Sequence, residues 1–172
     1  MITKVPEAPS GHHVLAQTDA DRTSYRFPLM VSNTPNVADV ELSVRFRAVS
    51  GEKDAAAGLV WRFRDADNYY VVRANALESN VVLYKVEHGK RTDLPPEGQG
   101  RAYGVNVKVS ARQWHTLQVK AAGPAFAVSL DGVKLFEVRD ETFTAPGKVG
   151  VWTKADSVTW FDDLTIRPIG AP

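Results

Sequence analysis

The sequence predicts an all-β chain folded as a two-sheet antiparallel jelly-roll sandwich, on three observations. Segments that alternate apolar and polar residues recur along the chain, the period of half-buried strands. Turn residues separate them about every 8 to 12 positions, the spacing of sandwiches and barrels. No stretch combines helical periodicity with capping residues. The 172 residues read as one jelly-roll domain over 1–172, with 1–11 as an extended N-terminal arm.

Taken in order, HHVLAQT (12–18) and YRFPLMV (25–31) read as edge strands, because Pro28 has no N–H for a central ladder. ADVELSVRFRAV (38–49) sets Val40, Leu42, Val44 and Phe46 on one face and Glu41, Ser43, Arg45 and Arg47 on the other. AGLVWRFR (57–64) follows a Gly-Glu-Lys-Asp turn and puts Leu59, Trp61 and Phe63 opposite Arg62 and Arg64. In NYYVVRANA (68–76), Tyr70, Val72 and Ala74 face the core, and Tyr69, Val71, Arg73 and Asn75 face outward. NVVLYKVEHG (80–89) is the next strand, and LPPEGQGRAY (94–103) the longest irregular stretch. Residues 114–123, 124–132 and 133–138 form a meander, with Asp131-Gly132 the strongest hairpin turn. A short helical turn is expected near 140–143, before the closing strands KVGVWTKA (148–155) and SVTWFDDLTIRP (157–168). The total is roughly nine to eleven strands.

Composition excludes several classes. The 21 basic and 20 acidic residues give a net charge of +1 with no cationic run, so the footprint of a nucleic-acid binder is missing. Membrane insertion is unsupported, since no stretch reaches the roughly 18 apolar residues of a spanning helix. There is no cysteine, which removes disulfides, thiolate metal sites and thiol nucleophiles together. The opening MITKVPEAPSG has no apolar core of a signal peptide, and the compartment stays open. Asn33-Thr34-Pro35 fails as a glycosylation sequon because of its proline.

Five groups of residues carry a family resemblance: Gly58 to Arg62, Asp65 to Tyr70, Trp114, Asp131-Gly132 and Phe161 to Asp163. Over residues 39–167 the chain resembles the concanavalin A-like lectin/glucanase jelly rolls. Within these it is similar to the laminin-G-like bacterial domains of the 3-keto-disaccharide hydrolase type. The resemblance implies carbohydrate as the ligand class, a concave sheet as the place it lies, and a periplasmic or secreted protein. The glucanases of that superfamily carry Glu-x-Asp-x-x-Glu on one strand. Here the nearest string, Glu137-Val138-Arg139-Asp140-Glu141, has Arg where the central acid should stand.

No catalytic constellation is legible. Glycosidic hydrolysis uses two carboxyls about 5 to 9.5 Å apart. The pairs Asp19/Asp21 and Asp65/Asp67 fall in turns, where Asp bonds its local backbone. Of the four histidines, His12 and His13 point to opposite faces, and His88 and His115 read as surface residues. Sugars are held by flat aromatics together with forked polar groups. Arg62, Tyr69, Arg73, Asn75, Trp152, Lys154, Asp156 and Trp160 offer that chemistry on a shared hollow, against the alternative that the tryptophans are core and the charges a solvated face. Asp162 is the best metal candidate. Period two counted from Leu164 and Ile166 turns it inward, where a buried carboxylate needs a structural calcium, an Arg or a backbone N–H. No other cofactor is expected.

The leading expectation is therefore a noncatalytic carbohydrate-binding domain. The alternatives are a glycoside hydrolase or lyase and a structural, protein-contacting module; the oligomeric state is left open.

Overall fold

The computed structural model describes residues 1–33 and 36–170; Thr34 and Pro35 of the failed sequon lie outside them. The chain forms β1 (Ile2–Lys4), β2 (His13–Gln17), β3 (Leu29–Val31), β4 (Val40–Ser50), β5 (Ala56–Asp65), β6 (Asn68–Asn75) and β7 (Asn80–Glu87). There follow β8 (Lys90–Leu94), β9 (Val105–Asn106), β10 (His115–Ala122), β11 (Ala125–Leu130), β12 (Val133–Arg139), β13 (Lys148–Trp152) and β14 (Val158–Pro168). A back sheet runs β1-β2-β14-β4-β10-β11-β12, and a front sheet runs β3-β13-β5-β6-β7-β8 with β9 beside β7. Every named pairing is antiparallel, and the architecture is the all-β jelly-roll sandwich. No helix occurs among the described residues. Near 140–143 the chain instead makes a side-chain turn, in which Asp140 accepts the Thr142 N–H at 2.9 Å and the Tyr70 hydroxyl at 2.5 Å.

The core fills the space between the sheets as period two dictates. Val40, Leu42, Val44 and Phe46 of β4 and Leu117, Val119 and Ala121 of β10 are all buried. They meet Trp61, Tyr70, Phe126 and Phe143, with Tyr70 centred 4.7 Å from Phe126 and 5.1 Å from Phe143. Burying one such side chain stabilises by about 2–3 kcal/mol.

The middle of the front sheet is different. In β6 and β7, Val71 and Val72, and Val82 and Leu83, are buried on opposite faces, so both sides of the sheet are covered. A second cluster, built on Val60, Tyr69, Val71, Val82, Tyr84, Val86 and Trp152, occupies the outer face, with Phe27 and Leu29 packed on it. The chain before β3 thus lies over a sheet that sequence alternation left open.

Two bulges shift strand faces. Arg62 has φ 47° and interrupts the pairing of β5 with β6 between Trp61 and Asp65. Phe63 consequently joins the outer cluster rather than the core set of Leu59 and Trp61. Asp163 has φ 49° within the irregularity between Asp162 and Thr165. It restarts the alternation, so Ile166 packs on the core and Asp162 points outward.

Within the stretch read as an arm, β1 pairs with β2, and the Met1 ammonium donates to Ala16 O at 2.9 Å. Val5, Val14 and Ala16 pack there with Trp114 and Trp160 on the outer side of the back sheet.

Candidate functional site

The residues singled out from the sequence fall in three places. Tyr69, Arg73, Asn75, Trp152 and Lys154 gather on the outer face of the front sheet and at its upper end, with Asp156 just behind them. Arg62 and Trp160 stand apart.

The face is built from the strands upward. Trp152 on β13 pairs with Gly58, which pairs with Arg73 on β6, which pairs with Val82 on β7. Gly58 leaves room for the indole, whose Nε1 donates to the Tyr69 hydroxyl at 3.3 Å. Phe27 stacks on Trp152 with centroids 5.2 Å apart. Arg73 is fully buried; its Nη2 donates to Glu78 at 2.8 Å and to Asn80 at 2.6 Å.

A polar chain links this cation to the far end of the sheet. The Asp156 carboxylate accepts the backbone N–H groups of Glu52, Lys53 and Asp54, holding the β4–β5 turn. Asp54 then pairs with Lys154 at 2.6 Å and accepts the Asn75 amide at 2.7 Å. Asn75 in turn accepts the N–H groups of Leu77 and Glu78. Asp156 acts by shaping this network, not by facing solvent.

Electrostatics follow the contacts. Partial burial would raise the Glu78 carboxyl, but the hydrogen bond and charge of Arg73 hold it below the usual carboxylate range. Asp156 behaves likewise, with burial opposed and overcome by its three backbone donors. Burial pushes the Tyr69 phenol up to about 12 despite the Trp152 hydrogen bond. It raises Tyr84 as well, against the lowering influence of Arg73. Glu78 and Asp156 are thus both held low, the opposite direction from the raised carboxyl a general acid in glycosidic cleavage uses.

Arg62 does not share the hollow. The bulge sends its guanidinium between loops at the other end of the sandwich, where it donates to Ala38 O, Phe143 O and Gly123 O and meets Asp39 at 3.2 Å. It lies 5.4 Å from the Phe126 ring centre. Trp160 sits on the opposite sheet, under Arg47 at 5.2 Å. Asp162, expected inward, faces outward and accepts the Ser10 N–H at 2.8 Å and the Ser10 hydroxyl at 2.7 Å. Its oxygens therefore meet donors, which suits an anchor for the N-terminal segment rather than a cation ligand. No group of three or more His, Cys, Asp or Glu suited to a metal ion occurs among the described residues.

His115 is buried rather than exposed, between Asp131 at 2.7 Å and the backbone of Ser110 at 3.1 Å. It contacts the Ser110 main chain and not its hydroxyl, so the three residues form no nucleophilic triad.

Sequence reasoning missed four members of the front-sheet site: Phe27, Tyr84, Arg91 and Tyr103. Arg91 lies 4.4 Å from the Tyr84 ring centre and 5.2 Å from that of Phe27. Tyr103, 48% exposed, meets Tyr84 through a short hydroxyl–hydroxyl hydrogen bond. One signal was readable: the unbroken apolar runs in β5 to β7 mark strands covered on both faces, which demands overlying side chains.

Hollows lie elsewhere on the molecule. A polar trough of about 460 Å³ crosses the back sheet over Ser43, Gln118, Ser129 and Thr165, with Lys120 and Arg167 at its sides; no aromatic ring lines it. An apolar cavity of about 280 Å³ opens between the sheet edges, lined by Leu15, Leu29, Met30 and Phe161.

Comparison with curated protein sequences finds no match. Among solved structures, the carbohydrate-binding module CBM66 from Bacillus subtilis superposes with a TM-score of 0.74 at 18% identity, covering 96% of this chain and 94% of that one. Galectin LEC-6 from Caenorhabditis elegans gives 0.54 at 10% identity, over 88% of this chain and 94% of that one. The GH43 protein BlXynB from Bacillus licheniformis gives 0.61 at 12% identity, over 94% of this chain but 34% of that one. At such identities the likeness is one of fold, the concanavalin A-like sandwich. The sequence profile described as the 3-keto-alpha-glucoside-1,2-lyase-like domain matches residues 18–167, and the chain belongs to that family.

Proposed function

We propose that this protein is a carbohydrate-recognition domain whose ligand lies over the outer face of the front sheet. The observation that carries the reading is the composition of that face. Tyr25 and Tyr103, exposed at 58% and 48%, flank the stack of Trp152, Arg91 and Tyr84, Tyr25 accepting the Arg91 backbone N–H and Tyr103 bonding Tyr84. Lys154 and Glu78 hold the Asn75 end of the face. Flat rings offer stacking surfaces, and fixed cations and carboxylates fork onto hydroxyls. The back-sheet trough has polar groups but no ring, and the edge cavity is mainly apolar, with no charged side chain in its lining. That the carbohydrate-binding module CBM66 shares this fold supports the ligand class.

The family favours a second reading, a lyase acting on a keto-glucoside. A recognition domain is preferred because Glu78, Asp54 and Asp93 are each committed to a cation.

The test is calorimetric titration of the full chain with a panel of oligosaccharides, repeated with Tyr103→Ala and Lys154→Ala. Binding that weakens about tenfold or more in each variant supports the reading. No binding to any saccharide overturns it. Turnover of a 3-keto-glucoside would move the assignment to the lyase.

A further inference from the structure

We propose that the outer face of the front sheet selects an anionic sugar residue, with Arg91 as the group that meets the negative charge; this rests on the carbohydrate reading of the face. On and around this face Arg73 pairs with Glu78 at 2.8 Å, Lys154 with Asp54 at 2.6 Å, and Arg101 with Asp93 at 3.6 Å. Arg91 has no acidic partner among the described residues. Its guanidinium is held instead among three rings, 4.4 Å from Tyr84, 5.2 Å from Phe27 and 5.8 Å from Trp152. Arg91 is thus a partly buried guanidinium whose contacts are rings rather than a carboxylate.

Hydrogen bonding points the same way. The Nη1 of Arg91 is buried without an acceptor, and so are the Nε and Nη1 of Arg73, a side chain with no exposed surface. Ring faces attract a cation, but they do not replace oxygen acceptors for buried N–H groups, which are costly to leave unmade. Tyr69 and Tyr84 supply no compensating charge, since burial keeps both phenols protonated at neutral pH. A planar carboxylate, or the oxygens of a sulfate ester, would supply both the charge and the paired acceptors that a guanidinium fork matches.

Tyr103, 48% exposed and hydrogen-bonded to Tyr84, offers a phenol ring on which a sugar can settle beside this group.

The experiment titrates the full chain with galacturonate oligomers, with their carboxyl-reduced neutral counterparts, and with sulfated and unsulfated galactose oligomers. The expected result is at least one anionic set binding about tenfold or more tighter than its neutral counterpart, a preference that Arg91→Gln removes and Arg91→Lys partly keeps. The arm that shows the preference names the source of the charge. Equal binding of anionic and neutral sugars, or a preference unchanged in folded Arg91→Gln, overturns the inference while leaving carbohydrate recognition standing. Failure of every saccharide overturns both. Should Arg91→Gln not fold, salt decides on the native chain: a true ion contact weakens between about 0.05 M and about 0.5 M salt, and a preference untouched by that change overturns the proposal.

Discussion

Trp152 lies directly over Gly58: a Cβ built on that glycine would stand 3.2 Å from Trp152 Cε3 and 2.9 Å from Val72 O. The backbone of β5 and the indole thus share space that only a missing side chain leaves open. Gly58→Ala must shift the indole, and with it Phe27 and Arg91. Overpacking of this kind costs about 1–3 kcal/mol. A lowered urea midpoint, with a changed near-UV tryptophan signal, is the expected outcome; an unaltered midpoint would show that the indole is not confined.

Arg62 is a structural staple. Its guanidinium joins the segments carrying Ala38, Asp39, Gly123 and Phe143, and it is buried. Arg62→Met keeps the length but leaves buried carbonyls without donors, each costing about 1–3 kcal/mol. We expect a loss of about 3 kcal/mol or more in denaturant unfolding. Sugar affinity, measured on the fraction that remains folded, should stay within about twofold, because Arg62 lies away from the hollow.

Tyr69 sets an alkaline limit. Burial raises its folded value to about 12, above the ordinary value of 10.0. Between these values the folded state holds a proton that the unfolded state has released. Its contribution is therefore complete below about pH 10 and is lost as pH rises toward 12. Unfolding midpoints should decline across that window, and Tyr69→Phe should flatten the decline. An equally steep fall in the variant would assign the limit to other groups.

Asp156 acts at the opposite end of the scale. Its folded value lies below the ordinary 3.8, because the Glu52, Lys53 and Asp54 N–H groups outweigh the effect of burial. Its contribution is complete above the unfolded value and is lost as pH falls through the folded one. Asp156→Asn should destabilise at neutral pH by about 1–3 kcal/mol and weaken the pH dependence below about 4. Unchanged stability at pH 7 would mean that the β4–β5 turn holds without this carboxylate.

These residues show what was legible in the sequence. The jelly roll was, since the alternation in β4 and the Asp131-Gly132 turn follow from local chemistry. The gathering of Arg73, Asn75 and Lys154 was legible in part, because period two placed the first two on one face. Arg62 and Asp162 were misplaced for one physical reason: a single residue at positive φ resets the alternation, and Arg62 and Asp163 are not residues that advertise such a conformation. Phe27 and Tyr103 reach the site from segments outside the strands, and Arg91 comes from β8, which pairs beside β7. Periodicity describes which way a strand's side chains point, not what later lies across them.

The most direct test of the central claim is amide chemical-shift mapping of the whole chain during titration with an oligosaccharide that binds. We predict that the shifted amides cluster at Glu78, Arg91, Tyr103 and Lys154. Shifts confined instead to Ser43, Gln118 and Ser129 would place the ligand in the back-sheet trough and contradict the assignment of the front sheet.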